Sequence, residues 1–134
     1  MVLSKAEVWA MLQGAKLLKH KILIGLLYGC GLRCMEARCV RLQDLDFDRK
    51  QLKVVQGKGK KDRYVPLSVH LIRGLKKYIE AEKPKEYLFN GQPIERSGGD
   101  FDSRYSQRGV QWAVKTVAKS VGITKEVHVH SLRH

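Results

Sequence analysis

Four side chains in this sequence are of types that act on phosphate, and each sits in a recognisable local setting. Arg33 lies in Gly31-Leu32-Arg33-Cys34-Met35-Glu36 and Lys58 in Gly57-Lys58-Gly59-Lys60-Lys61-Asp62-Arg63; His130 and Arg133 share His130-Ser131-Leu132-Arg133-His134. Two guanidinium groups that stay charged near pH 7, an ammonium and an imidazole together make a site for a phosphodiester. Glycines before Arg33 imply a tight turn into a helix N-terminus, where the dipole favours an anion. The 57–63 segment carries four positive charges and one negative. With no Cβ at Gly57 or Gly59, it can lie close to a nucleic-acid backbone and insert a lysine. His130 and Arg133 are three apart, so on a helix they share one face.

Each motif has a plainer reading. An arginine after a turn is usually a solvated surface residue, and a basic hairpin is usually a solvated turn. A single histidine is usually a hydrogen-bonded structural residue. The 57–63 segment is not a P-loop, because GxxxxGK[ST] does not fit and it joins strand to strand. His128 and His134 are read as structural: His128 and His130 have no acidic or cysteine partner close in sequence to make a metal site. Cys30, Cys34 and Cys39 lack a CxxC pair and read as buried thiols rather than zinc ligands.

The elements that must position these residues follow from periodicity and caps. Ser4-Lys5-Ala6-Glu7 is a capping box, and Val8, Leu12, Ala15 and Leu18 follow at helical spacing, predicting a helix over residues 4–19. A second apolar helix covers 20–29, broken by Gly29 and Gly31, and a short one runs from near Arg33 to Val40. Residues 45–47, 52–55 and 63–67 read as strands, with turns at 48–50 and 57–62. Leu71, Leu75, Tyr78 and Ile79 mark a helix over 68–82, ended by Lys83-Pro84. Residues 84–101 read as a loop with an extended piece at 87–89. Val110, Ala113, Val114, Val117, Ala118 and Val121 mark another helix, capped by Gly122. Residues 130–134 read as the opening of a further helix. The expected fold class is α+β and mainly helical, with helices packed around a small three-stranded antiparallel sheet.

The bulk numbers fit one domain with a nucleic-acid partner. The chain has 134 residues, and 26 Lys plus Arg against 13 Asp plus Glu give a net charge of +13. That balance favours a polyanion, although a basic solubilising surface gives the same total. No secretory signal is visible, and the apolar run at 22–30 is about half a membrane span. Three closely spaced cysteines without a disulfide framework suit a reducing cytosol, so a cytoplasmic, nucleoid-associated location is expected.

Taken in order and with this spacing, the motifs resemble the catalytic domain of the tyrosine recombinase (phage-type integrase, Xer-like) family, over nearly the whole chain. The resemblance implies that Arg33, Lys58, His130 and Arg133 are catalytic, that Glu36 is a supporting carboxylate orienting basic neighbours, and that Lys60, Lys61 and Arg63 contact DNA. It implies strand breakage and rejoining through a 3′-phosphotyrosine, with a tyrosine attacking and the 5′-hydroxyl leaving, and with no metal, nucleotide or other cofactor. The arginines would hold the non-bridging oxygens of the phosphorane, Lys58 would protonate the 5′-oxygen, and His130 would accept the nucleophile's proton or hold an oxygen. Double-stranded DNA is the implied partner, with self-association of protomers on it; no membrane or small-molecule substrate is implied. Tyr28, Tyr64, Tyr78, Tyr87 and Tyr105 all precede the last motif, and none has the nucleophile's context. Residues 1–134 are therefore expected to be part of a catalytic domain, inactive alone, without the N-terminal core-binding domain or the C-terminal tyrosine segment. Self-association through an uncovered core is also expected. A catalytically inert DNA-binding regulatory module and a protein-interaction fragment are the alternatives. Integration of a mobile element and resolution of chromosome dimers look the same at this level.

Overall fold

In the computed structural model, residues 3–55, 61–95 and 101–132 are described. Helix α1, Lys5–Gly14, starts at the expected capping box: the Glu7 N–H donates to Ser4 Oγ at 3.1 Å and the Ser4 N–H to Glu7 Oε1 at 2.9 Å. It stops at Gly14 rather than at 19, and α2 is Leu18–Gly29. A Cβ on Gly14 would meet Val121 Cγ1 at 2.3 Å, so any larger residue at the end of α1 would force Val121 to shift. Ala15 and Leu18 keep their inward positions across the corner, which is why spacing alone ran the two helices together.

Helix α2 is the centre of the core. Leu23, Ile24, Leu26 and Leu27 are fully buried, with α1, α4 and α5 packed around them. A helix buried on most sides reads as continuously apolar rather than striped. Gly29 is its last residue, and Gly31, at φ +63°, reverses the chain into α3, Cys34–Arg38. The sheet is as expected: β1 Leu45–Asp46, β2 Gln51–Val54 and β3 Arg63–Pro66 pair antiparallel in that order. Leu52 and Val54 point into the core, while Lys53 pairs with Tyr64 on the outer face.

Helix α4 is Val69–Glu82, with Ser68 capping the Leu71 N–H and Lys83 in the left-handed region at φ 48° before Pro84. The expected loop at 84–101 is incorrect: Asn90–Glu95 (β4) and Phe101–Arg104 (β5) form a second antiparallel pair. Gly91 and Pro93 suppress the strand signal, and the register shifts between Asn90 and Ile94 to take them in. Helix α5, Gln107–Ser120, buries Val110, Ala113, Val114, Val117 and Ala118 as its spacing requires, and Gly122 follows at φ +82°. Residues 129–132 form a 3-10 turn, and the remainder of the expected helix opening, 133–134, lies outside the described residues. Among the described residues, no helix is long and apolar enough to cross a membrane.

His20, buried on α2, stands edge-on to Trp112 of α5 with ring centroids 5.9 Å apart. Burial, and then the charge of Lys19, hold its pKa below the ordinary value. The unfolded chain therefore takes this proton more readily than the folded one. The stabilisation is complete above an unfolded histidine's pKa of about 6.5 and is lost as pH falls through the lower, folded value. Thermal melts at pH 7.5 and 5.5 should show an acid-side loss that shrinks in His20→Phe. An unchanged loss in that variant would assign the pH dependence to other groups.

Candidate functional site

The corner that carries Arg33 is built from its two predecessors. Gly31 supplies the left-handed turn, and Leu32 is fully buried and anchors it. Arg33 then adopts an extended backbone (φ −78°, ψ 161°) as the N-cap residue of α3, with its side chain exposed. It makes no ion pair among the described residues. Its N–H donates to Glu36 Oε1 at 2.8 Å. Helix α3 has only five residues, so the helix dipole expected to favour phosphate here is slight. The positive potential comes from the guanidinium itself.

Glu36 does more than cap the helix. Arg63 Nη1 donates to its Oε2 at 2.6 Å and Arg63 Nη2 to its Oε1 at 3.1 Å, a bidentate fork. The carboxylate side chain is 12% exposed and the guanidinium 39%. The Glu36 hydrogen bond, with its charge, raises the Arg63 pKa further. Arg63, expected as a DNA contact, gives two of its five N–H donors to this carboxylate and so bridges α3 and β3.

That bridge sits at the foot of the basic hairpin. Val54 pairs with Arg63 as the last rung of β2–β3, and Lys53 Nζ stands 3.6 Å from Asp62 Oδ2. Lys61 is exposed beside them. Lys58 and Lys60 lie outside the described residues.

His130 sits in the 3-10 turn Val129–Leu132, whose backbone is held firmly. Val129 and Leu132 are each 1% exposed, and the turn packs on α2 and α5. The Val129 N–H donates to Gln111 Oε1 at 3.3 Å, the His128 N–H to Ser131 Oγ at 3.1 Å, and the Leu3 N–H to the Ser131 carbonyl at 3.4 Å. The His130 ring, Arg133 and His134 lie outside the described residues. His128 is at the surface, its Nε2 3.4 Å from Glu126.

Several positioning residues left no mark in the sequence pattern. Arg38 Nε donates to the Tyr105 carbonyl at 2.7 Å, tying α3 to the start of α5. Lys19 Nζ donates to the Asn90 carbonyl at 2.6 Å and lies 3.9 Å over the Tyr105 ring. Gln111 holds the histidine turn from α5. Each reaches across the fold to a backbone group or ring, which no spacing rule detects. Cys30, Cys34 and Cys39 are free, and burial pushes the Cys30 thiol up to about 11.

The chain belongs to the phage integrase family, the tyrosine recombinases, whose family model matches it from residue 1 to 134. A tyrosine recombinase of Thermosipho africanus is 42% identical over 118 residues, which are 87% of this chain and 38% of that protein. The chain thus spans well under half the length of the curated relatives it matches. Its fold is that of a crystallised XerA recombinase, with a TM-score of 0.85 and 24% identity over 99% of this chain and 46% of that one. XerH recombinase bound to its difH substrate gives a TM-score of 0.77 and 22% identity, over 98% of this chain and 40% of that one.

Proposed function

We propose that residues 1–134 are the phosphate-gripping part of the catalytic domain of a site-specific tyrosine recombinase, acting on double-stranded DNA. The observation that carries this is the Glu36 clamp: one carboxylate holds the Arg33 backbone and, through Arg63, the foot of the lysine hairpin. The Arg33 corner and Arg63, at the C-terminal end of the basic segment, are thereby held on one framework. The family relation supports the same assignment.

In this reading Arg33 and Arg133 hold the two non-bridging oxygens of the scissile phosphate. Both oxygens gain charge in the phosphorane, so groups aimed at them lower the barrier; a single such donor is typically worth about 10²–10³ in rate. Lys58, on the hairpin, protonates the departing 5′-oxygen. His130 takes the proton of the attacking tyrosine or holds an oxygen. Lys60 and Lys61 track the backbone beside them, and Arg63 bridges α3 and β3. None of the five tyrosines here suits the nucleophile's role. Burial pushes the Tyr78 phenol up to about 12 and raises that of Tyr105. XerH was solved on its DNA substrate and lambda integrase as a dimer on a core site; by analogy, protomers of this protein assemble on DNA.

DNA binding tests the reading. The chain should bind duplex DNA at low salt and lose affinity steeply as salt rises, by about 10³-fold between 50 and 200 mM if some six phosphates are neutralised. Fluorescence anisotropy across that range measures the slope. Binding that is absent at low salt, or that ignores salt, would remove DNA as the partner.

A further inference from the structure

Between Gly122 and the turn that carries His130, residues 123–128 belong to no helix or strand. The Ile123 N–H donates back to the Ala118 carbonyl at 3.0 Å, and Val127 is buried. Between these two points Lys125 reaches the first turn of α1: its Nζ donates to Glu7 Oε1 at 2.8 Å, across 118 positions of sequence. The same oxygen accepts the Ser4 N–H at 2.9 Å in the capping box. One residue earlier, Leu3 is buried and its N–H donates to the Ser131 carbonyl at 3.4 Å. The start of α1 therefore holds this stretch on both sides of His130, at 125 and at 131. Lys125, and then the bond from the Ser4 backbone, keep the Glu7 carboxyl below the usual carboxylate range, so it is ionised at neutral pH.

Glu7 repeats the arrangement of Glu36. Each carboxylate stands at the third position of a helix and caps it, and each takes a cation from across the fold, Lys125 in one case and Arg63 in the other. We infer that Glu7 is a positioning residue for the second half of the phosphate grip, fixing through Lys125 the turn that carries His130 and leads into Arg133. The inference rests on the grip proposed above. A pair this accessible, with the Lys125 side chain 41% exposed, adds little to global stability. Its effect is local, because pinning an irregular stretch limits the conformations open to the turn that follows. If Lys125 contacted phosphate itself, Glu7 would compete with DNA for it. The two roles predict opposite signs when the carboxylate is removed.

Glu7→Gln in the whole chain is the test, because glutamine keeps the capping box and removes the charge that holds Lys125. Without DNA, amide exchange followed by NMR should quicken at Val129 and Ser131, whose N–H groups donate to Gln111 Oε1 and the His128 carbonyl. The expected change there is about fivefold or more, against less than about twofold at Val117 within α5. Lys125→Met should reproduce it, and Lys125→Arg should not. Duplex-DNA affinity of Glu7→Gln should fall about three- to tenfold, although one negative charge is gone. That fall should shrink below about twofold in an Arg133→Ala background and persist in Arg33→Ala. Tighter DNA binding by Glu7→Gln would make Lys125 a direct phosphate contact and overturn the proposal. So would unchanged exchange at the turn, or equal losses in the two backgrounds. If the parent chain does not bind DNA, the grip fails on its own, and exchange at Val129 and Ser131 alone decides whether Glu7 fixes the turn.

Discussion

Arg33→Ala should weaken duplex-DNA binding by about 10–100-fold, and Arg133→Ala by a similar factor, while Lys119→Ala changes it by about threefold or less. The Arg33 guanidinium is exposed, without an ion pair among the described residues, on a corner that the buried Leu32 and the left-handed Gly31 hold in place. A charged donor fixed this way contributes roughly 1.5–3 kcal/mol per phosphate contact. Lys119 sits exposed in the last turn of α5 on a flexible stem. Its part is a screened point charge, worth about 0.6 kcal/mol or less. Arg33→Lys should fall between parent and alanine, since it keeps the charge and loses the fork. Anisotropy titrations at one fixed salt concentration make the comparison. Equal losses in all three alanine variants would mean that a diffuse basic surface holds DNA, and the site would lose its meaning.

Glu36→Gln should destabilise the fold and loosen the site together. The amide places its own N–H donors against Arg63 or leaves the Arg33 N–H without its acceptor; it cannot serve the Arg63 fork and the helix cap together. A buried charge pair broken on one side costs about 3–5 kcal/mol, but the Arg63 side chain is 39% exposed, and solvent screening reduces this to about 1–3 kcal/mol. For a domain of this size, that is a fall of roughly 3–10 °C in Tm. Calorimetry on Glu36→Gln, Arg63→Met and the double variant gives the coupling. The two single losses should exceed the double loss by about 1 kcal/mol or more when summed. Additive losses would mean that the bidentate pair contributes little and that the hairpin foot is held by something else.

The amphipathic helices and the sheet were legible in the sequence because their signals are local. The capping box at Ser4 and the apolar stripe of α5 each lie within a few residues of what they specify. The corner between α1 and α2 was hidden because Gly14 answers to Val121, more than 100 positions away. The β4–β5 pair was hidden because Gly91 and Pro93 contradict strand propensity while the register shift tolerates them. At the candidate site, residue types and spacing pointed to Arg33, Lys58, His130 and Arg133 as a set, and the family resemblance added Glu36 as a supporting group. Sequence pattern did not reveal that Glu36 fastens on Arg63 and so ties β3 to α3. Nor did it reveal that Gln111 holds the histidine turn from α5, or that Arg38 ties α3 to the Tyr105 carbonyl just before α5. Those bonds run to partners 18 to 67 positions away, and only the packed fold brings them into reach.

The central claim is that the cationic motifs form one grip on a phosphodiester. The direct measurement is amide NMR on the labelled chain during titration with a short duplex. The account predicts that the largest shifts fall together on residues 31–36, 57–63 and 129–133 and saturate with one common affinity. Shifts spread over lysines on every face, or concentrated on α1 and α4 with those three segments silent, would contradict it.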